Sequence, residues 1–412
     1  MSPIDLQTLV FDGGIRSVNF FNGRLLSGED LSQEKAANRE ARRQLGRALG
    51  DGIAYGLGVS ETAGVSTRQA PVVSVEPGLA VNRQGQTLGL TSRVDISLVR
   101  PMAAGATTAV SSIFDDCQPL QPGVYVAGTA VYLLVLSSAA GGQGRAPVSG
   151  LGNMIATCNV RDLIEGVQFR LIPLDLPLAE LNDQDHLRNR VAYRCFGVPE
   201  AQAFLRNPFA PPLDGYGLLD TLRPNILTDC DVPLATLHWT AADGIKFLDL
   251  WSVRRRVTRP ATDGRWHLLV GDRRLSEAEA MFQQFAEHIE NIRTHEVNLD
   301  GIVATQRFDF LPPVGFLPLQ GVGSSPGLTY ERFFELQAYH NPVFIEGAYI
   351  EPLVRTALPY PPIDLHNNDP IRLYRVIDGQ STRPFILFTS AYVPSLGEAR
   401  FDIVRWDYSN FT

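Results

Sequence analysis

Apolar and polar residues alternate with a period of two along much of this chain, the period that a half-buried β-strand imposes. From Val59 to about Leu98 the alternation is broken by Glu76-Pro77-Gly78 and Asn82-Arg83-Gln84-Gly85. Turn residues between short apolar runs predict a small antiparallel β unit there. Val124 to Leu136 reads as a strong strand, and Gly166 to Leu174 as another, with Val167, Phe169 and Leu171 on one face. Val232–Thr240 and Ile245–Val253 flank Ala241-Ala242-Asp243-Gly244, which predicts a hairpin with an Asp-Gly turn. Four further alternating runs, 343–350, 371–377, 384–392 and 399–406, predict a compact C-terminal β domain with proline-rich connections. The Ala/Gly/Thr/Ser-rich tract 103–122 and the tract Ser137–Gly150, with Gly141-Gly142-Gln143-Gly144, are expected to be loops.

Two long segments switch to a helical period. Ser27 is placed as an N-cap, with Asp30 completing an acidic capping box, and Gly50-Asp51-Gly52 stops the helix after Leu49. Its apolar positions are few, and Glu34, Lys35, Arg39, Glu40, Arg42, Arg43 and Arg47 form a charged face that suits either solvent or a neighbouring subunit. Ser276-Glu277-Ala278-Glu279 reads as a capping box opening a second helix to His295. Phe282, Phe285, Ile289 and Ile292 then recur at spacings of three, four and three. Such a seam either lies on a sheet or pairs with other copies in a symmetric oligomer. Shorter helices are expected at 186–196, 199–205 and 330–336. The expected fold class is α+β, predominantly β: several small antiparallel β domains with an N-terminal helix and one long internal helix. The expected division is 1–100, 101–270, 271–300 for the long helix, and 301–412.

The 412 residues are 44% hydrophobic and 19% charged, enough to bury a sizeable core. A net charge of -8 disfavours nucleic acid as a partner, because neutralising phosphates takes clustered cations. The run Arg254-Arg255-Arg256 reads as a solvated or ion-paired strand end. Cys117, Cys158, Cys195 and Cys230 are widely spaced and read as buried reduced thiols. Met1 to Asp5 lacks a basic and apolar leader pattern, and the longest apolar run is too short to span a bilayer, so cytoplasmic synthesis is expected.

Chemistry-bearing patterns are sparse. Asp183, Asp185 and His186 alternate as in a calcium loop but lack its downstream Gly and Glu. His288 and His295 share a helix face without an HExxH pattern, and the glycine tract lacks the Lys-Ser/Thr of a phosphate loop. Asp249, Glu346 and Glu351 are candidates for a carboxylate pair that only the fold could bring together. Trp239, Trp251, Trp266 and Trp406 fall on expected strands, as core or as a sugar-stacking platform. No cofactor or metal is expected.

The most specific signal is Phe20-Phe21-Asn22-Gly23-Arg24-Leu25-Leu26-Ser27-Gly28-Glu29-Asp30, followed by the helix, then Gly52-Ile53-Ala54-Tyr55-Gly56-Leu57-Gly58-Val59 and Val75-Glu76-Pro77-Gly78-Leu79-Ala80-Val81-Asn82-Arg83-Gln84-Gly85. This succession resembles the N-terminal module of proteins encoded with phage-tail-like contractile injection systems. Relatives read FF-x-G-x-LL-x-x-x-D, then G-x-x-x-GL-x-V, then V-x-PG-x-A-x-D-x-x-G; Asn82 stands where they often carry Asp. Cys230–Ala235, Asp249–Arg255 and Arg307–Gly315 look like further blocks of the same family. The resemblance implies a non-enzymatic structural component at or around the baseplate. Its N-terminal module would fix the subunit to the particle through a packing knot of Phe20, Phe21, Gly23, Leu25, Leu26 and Asp30, with Gly78 and Gly85. Baseplate, sheath or spike proteins would be its partners. A homo-oligomer, possibly a trimer, would form through Phe282, Phe285, Ile289 and Ile292. The particle would be cytoplasmic, membrane-docked or released. A second reading is a fibre-like protein that binds a cell-surface glycan.

Overall fold

The computed structural model describes residues 14–99, 124–147, 158–207, 209, 217–223, 225–259, 271–296, 298–319, 327–377 and 384–394. The fold is α+β, with strand and helix each taking roughly a third of the described residues. A long helix, α1 (Gly28–Leu49), leads into six short strands: β1 (Gly52–Gly56), β2 (Val59–Glu61), β3 (Val72–Val75), β4 (Gly78–Val81), β5 (Thr87–Leu90) and β6 (Val94–Ser97). They form two three-stranded antiparallel sheets, β1-β4-β5 and β2-β3-β6.

The middle of the chain supplies β7 (Ala130–Pro147) and β8 (Cys158–Leu174), the helices α2 (Leu178–Asn182), α3 (Gln184–Phe196), α4 (Val198–Arg206) and α5 (Leu218–Thr221), then β9 (Asp231–Thr240) and β10 (Gly244–Asp249). The four strands make one antiparallel sheet in the order β10-β9-β7-β8. Both of its faces are covered over Val131–Leu136, where β7 reads as apolar at every position. Val131, Leu133 and Val135 of β7 pack with Leu187, Val191 and Cys195 of α3. The alternate residues Tyr132, Leu134 and Leu136 join one continuous core with Val59, Val73, Val75 and Leu88 of the small sheets. Opposite β7 the register of β9 slips at Leu234. This bulge shifts the phase by one residue, so Val232, Leu234, Ala235, Leu237 and Trp239 all reach the same core.

The expected Asp-Gly hairpin is β9–β10. The expected glycine-rich loop is not found in residues 137–147: β7 continues to Pro147 and pairs with β8 as far as Cys158. Backbone ladders need no side-chain alternation, so a long two-stranded ribbon persists where the apolar pattern has ended. Cys195 is free and buried, and desolvation pushes its thiol up to about 12. Cys230 is disulfide-bonded, which corrects the expectation of reduced thiols throughout.

The last part contains α6 (Asp272–His295), β11 (Phe310–Leu311), β12 (Val314–Pro318), α7 (Tyr330–Phe333), β13 (Tyr339–Ile345), α8 (Ile350–Ala357), β14 (Ile363–Asp364), β15 (Ile371–Val376) and β16 (Phe385–Ser390). β12-β16-β15-β13 form a four-stranded sheet. Its β13–β15 pair is parallel, against the antiparallel expectation. The crossover that parallel strands require is provided by α8. The expected strand 399–406 lies outside the described residues.

Helix α6 starts five residues earlier than an N-cap at Ser276 predicts. Gly271 is its N-cap, without a side-chain cap bond, Ser276 is buried, and Glu277 pairs with Arg273 one turn back at 2.9 Å. Phe285, Ile289 and Ile292 pack with Leu317, Leu373, Ile386 and Phe388 of the C-terminal sheet. Phe282 meets Phe316, ring centroids 5.8 Å apart. Gly315 makes this approach possible, since a Cβ there would lie 2.5 Å from the Phe388 ring. Ala280 and Met281 pack instead against Ala192, Tyr193 and Phe196 of α3. The apolar seam of α6 is therefore occupied by its own chain.

Candidate functional site

Three of the sequence blocks place an aspartate in the interior, and each carboxylate receives an arginine from elsewhere in the chain. Asp231 accepts from Arg170 at 2.5 Å, from the Ser137 hydroxyl, and from the backbone N–H and hydroxyl of Thr228 at 2.7 and 2.9 Å. Asp249 accepts from Arg188 Nε at 2.6 Å, Gln284 at 2.9 Å and the Ser252 N–H at 2.9 Å. Asp309 accepts from Arg190 Nε at 2.8 Å. Burying an ion is tolerable only when its lone pairs are so filled. Two of the arginines are neighbours on α3, and Asn189 between them donates to the Phe310 carbonyl at 3.0 Å and accepts the Asp309 N–H at 2.9 Å. The Arg188-Asn189-Arg190 triplet thus splints β10, α6 and the 309–310 segment.

Beside this hub lie Glu287 and His288 of α6. Arg188 also reaches Glu287, at 3.4 Å. Desolvation, joined by repulsion from Asp249, raises the Glu287 carboxyl to about 7 despite Arg188. Desolvation, with Arg188 and Arg307 adding repulsion, holds His288 well below its ordinary value. Its ring lies 4.8 Å from that of Phe308, and its Nδ1 has no partner among the described residues.

The N-terminal signature is organised differently. Residues 21–24 make a turn, closed by the Arg24 N–H on the Phe21 carbonyl at 3.2 Å, with Gly23 at φ +88°. Ser27 and Asp30 form the expected reciprocal capping box: the Asp30 N–H donates to the Ser27 hydroxyl at 3.1 Å, and the Asp30 carboxylate accepts the Ser27 N–H at 2.9 Å. Arg24 adds a 2.5 Å ion pair to Asp30. The Ser27 backbone and hydroxyl bonds, then Arg24, hold the Asp30 carboxyl below its ordinary value. While the polar members close on one another, the apolar ones face outward. Phe20, Phe21, Leu26 and Leu31 are exposed, and Leu25 keeps 93% of its surface.

Only Ala37 and Gly46 of α1 are buried. The helix rests on the 82–85 turn, where a Cβ on Gly46 would stand 2.1 Å from the Gly85 carbonyl oxygen, and a Cβ on Gly85 (φ +78°) would stand 2.1 Å from that of Arg43. Gly78 serves β1 in the same way, with Tyr55 O and Leu57 N each 2.4 Å from where its Cβ would be. Gly78 and Gly85 are points of backbone contact, whereas a Cβ on Gly23 would meet nothing within 4 Å.

The remaining candidates have structural occupations. His186 binds Asp183 at 3.0 Å and the Thr305 carbonyl at 3.1 Å, and Asp185 pairs with Arg307 at 2.5 Å. Among the described residues no group of three potential ligands is arranged to hold a metal ion. Glu351 pairs with Arg355 along α8 at 2.7 Å. Arg254 donates to the Leu57 carbonyl at 3.0 Å and lies over the Trp251 ring at 5.5 Å, in a turn after β10 where a strand was expected. Arg255 lies over Phe196 at 4.7 Å, and Arg256 pairs with Glu279 at 2.8 Å. Trp239 is buried; Trp266 and Trp406 lie outside the described residues. The spacing Gly323-Ser324-Ser325-Pro326-Gly327, which has the form of a nucleophile elbow, falls almost wholly outside them too. No helix among the described residues is long and apolar enough to cross a membrane.

No protein-family model and no curated protein matches the chain. Among solved structures it aligns with the crystal structure of TssK at 10% identity, over 48% of this chain and 53% of that one, with a TM-score of 0.19. The chain thus spans about half the length of TssK, and so slight an overlap carries no argument about either fold or function.

Proposed function

We propose that this chain is a non-enzymatic structural component of a phage-tail-like contractile injection system, placed at or around the baseplate and acting by assembly. The N-terminal signature is the docking element: Phe20, Phe21, Leu25, Leu26 and Leu31 seat in a neighbouring baseplate, sheath or spike subunit. One observation carries the reading. A short loop and the first turn of α1, fixed by an ion pair and a capping box, hold five large apolar side chains that no described residue covers. Burying a Leu or Phe side chain is worth about 1.5–3 kcal/mol, and clustered exposure of this kind marks an interaction surface. The charged face of α1 and its exposed Leu45 and Leu49 extend the same side of the argument.

The test is sedimentation of particles from a native producer lysate, with this chain measured by mass spectrometry. The wild-type chain is expected to pellet with sheath and tube proteins at a fixed stoichiometry. A Phe21→Ser/Leu25→Ser chain is expected to melt like wild type and remain in the supernatant. If the wild-type chain stays soluble while sheath pellets, or the variant pellets equally well, the reading fails.

A further inference from the structure

One stripe of α1 faces solvent along the whole helix: Leu31, Lys35, Asn38, Arg42, Leu45 and Leu49. Its members are spaced four, three, four, three and four residues apart, the period of a seam between two packed helices. All six are exposed, and the three leucines keep 56%, 66% and 58% of their surface. Only Ala37 and Gly46 of the helix are buried, and neither belongs to the stripe.

The middle of the stripe is cationic, and its charges are not answered within the chain. Elsewhere on α1, Arg39 pairs with Glu165 and Arg47 with Glu40. The Lys35 and Arg42 side chains have no such partner among the described residues. Glu34, next to Lys35 in sequence, accepts instead from the Val18 N–H at 3.1 Å and the Asn38 amide at 3.0 Å. Aliphatic side chains thus stand at both ends of the stripe, with two free cations between them.

We propose that this stripe docks an amphipathic helix of a neighbouring particle subunit, one that sets two carboxylates, seven residues apart, against Lys35 and Arg42 and covers the leucines with aliphatic side chains. The inference rests on the docking role proposed above and names the chemistry of the partner. Seven residues of helix span about 10 Å, so acids at that spacing on a helix laid alongside meet both cations at once. Covering the leucines takes water from the cations between them. A cation that loses water without gaining a counter-charge is costly, so a purely apolar helix is rejected and an acidic one selected. A second copy of α1 does not fit. The stripe holds no carboxylate, so pairing with itself leaves every cation of the seam unanswered.

The test is zero-length carbodiimide coupling of purified native particles, read by peptide mass spectrometry. This chemistry joins a lysine amine only to a carboxylate that it touches. Lys35 and Lys246 are the only lysines of the chain, and Lys246, 3.2 Å from Asp243, is the internal control. Lys35 is expected to couple to an Asp or Glu of a different particle protein, in a segment with a second acid seven residues away. Lys35→Glu/Arg42→Glu is expected to melt like wild type and to weaken particle binding at least tenfold, equivalent to about 1.4 kcal/mol. Lys35→Arg is expected to pellet like wild type and to lose the coupling. The inference alone is overturned if the wild-type chain pellets but Lys35 couples to another copy of this chain, or to nothing while Lys246 couples. It is equally overturned if the charge-reversed variant pellets like wild type. A wild-type chain that stays soluble while sheath pellets overturns both this inference and the docking role.

Discussion

Glu287 and His288 form a hidden proton exchange that single substitutions should expose. Arg188 carries one positive charge between two carboxylates, and it lies at 2.6 Å from Asp249 but 3.4 Å from Glu287. One cation can compensate one anion, so the more distant carboxyl keeps its proton up to about pH 7. His288, fully enclosed and facing the same arginine as well as Arg307, is neutral when folded. In the unfolded chain near pH 5.5 the opposite holds: Glu287 is ionised, with an ordinary value of 4.5, and His288 is protonated, with an ordinary value of 6.5. Both states bind one proton on the pair, so the pair contributes almost no slope to stability between about pH 4.5 and 6.5. Glu287→Gln leaves only the histidine. The unfolded state then binds the extra proton, and stability rises with pH up to about 6.5, by at most about 1.4 kcal/mol per pH unit. His288→Gln leaves only the carboxyl, whose raised value means that stability falls as pH climbs from 4.5 to 7, by about 3 kcal/mol in all. Urea unfolding followed by tryptophan fluorescence from pH 4.5 to 7.5 measures each slope. Equal slopes in wild type and both variants, or slopes of the reversed sign, would refute the assignment.

The other expectations concern the hub and the glycine notch. Asp249→Ala strands a buried Arg188 and should cost about 3–5 kcal/mol in urea unfolding; Arg188→Met/Asp249→Ala should recover most of that loss, and strictly additive costs would show that the pair is not coupled. Gly85→Ala forces a Cβ within 2.1 Å of the Arg43 carbonyl at a positive φ, so α1 should lift and become an early site of limited proteolysis, a change absent in Gly89→Ala, whose Cβ meets nothing closer than 3.5 Å.

What could be read in the sequence was local. The Asp-Gly hairpin and the Ser27–Asp30 box each depend on residues a few positions apart, and both formed as their spacing indicates. The second capping box misled because Ser276 and Glu279 lie inside a helix that Gly271 starts without a side-chain cap, and Glu277 is drawn to Arg273. The ribbon at 137–147 is not legible in the sequence because glycine and polar residues can hold a ladder that no apolar period announces. Parallel pairing of β13 with β15 depends on where α8 returns the chain, which alternation within a strand does not encode.

The least legible element is the set of buried aspartates. Asp231, Asp249 and Asp309 stood in the sequence as members of recurring blocks, with no partner in view, because Arg170, Arg188 and Arg190 lie 61, 61 and 119 residues away. Carboxylates usually belong at the surface and Phe and Leu in the core. Here the signature Phe and Leu side chains are outside and the block aspartates inside. The second half of this inversion is satisfied within the chain, since each aspartate has its arginine and each arginine is held by packed helix or strand. The first half is not satisfied by any described residue of the chain. A fold that pairs these three aspartates internally, yet leaves its most specific apolar motif exposed among the described residues, would gain hydrophobic free energy from a neighbouring subunit that covers that motif.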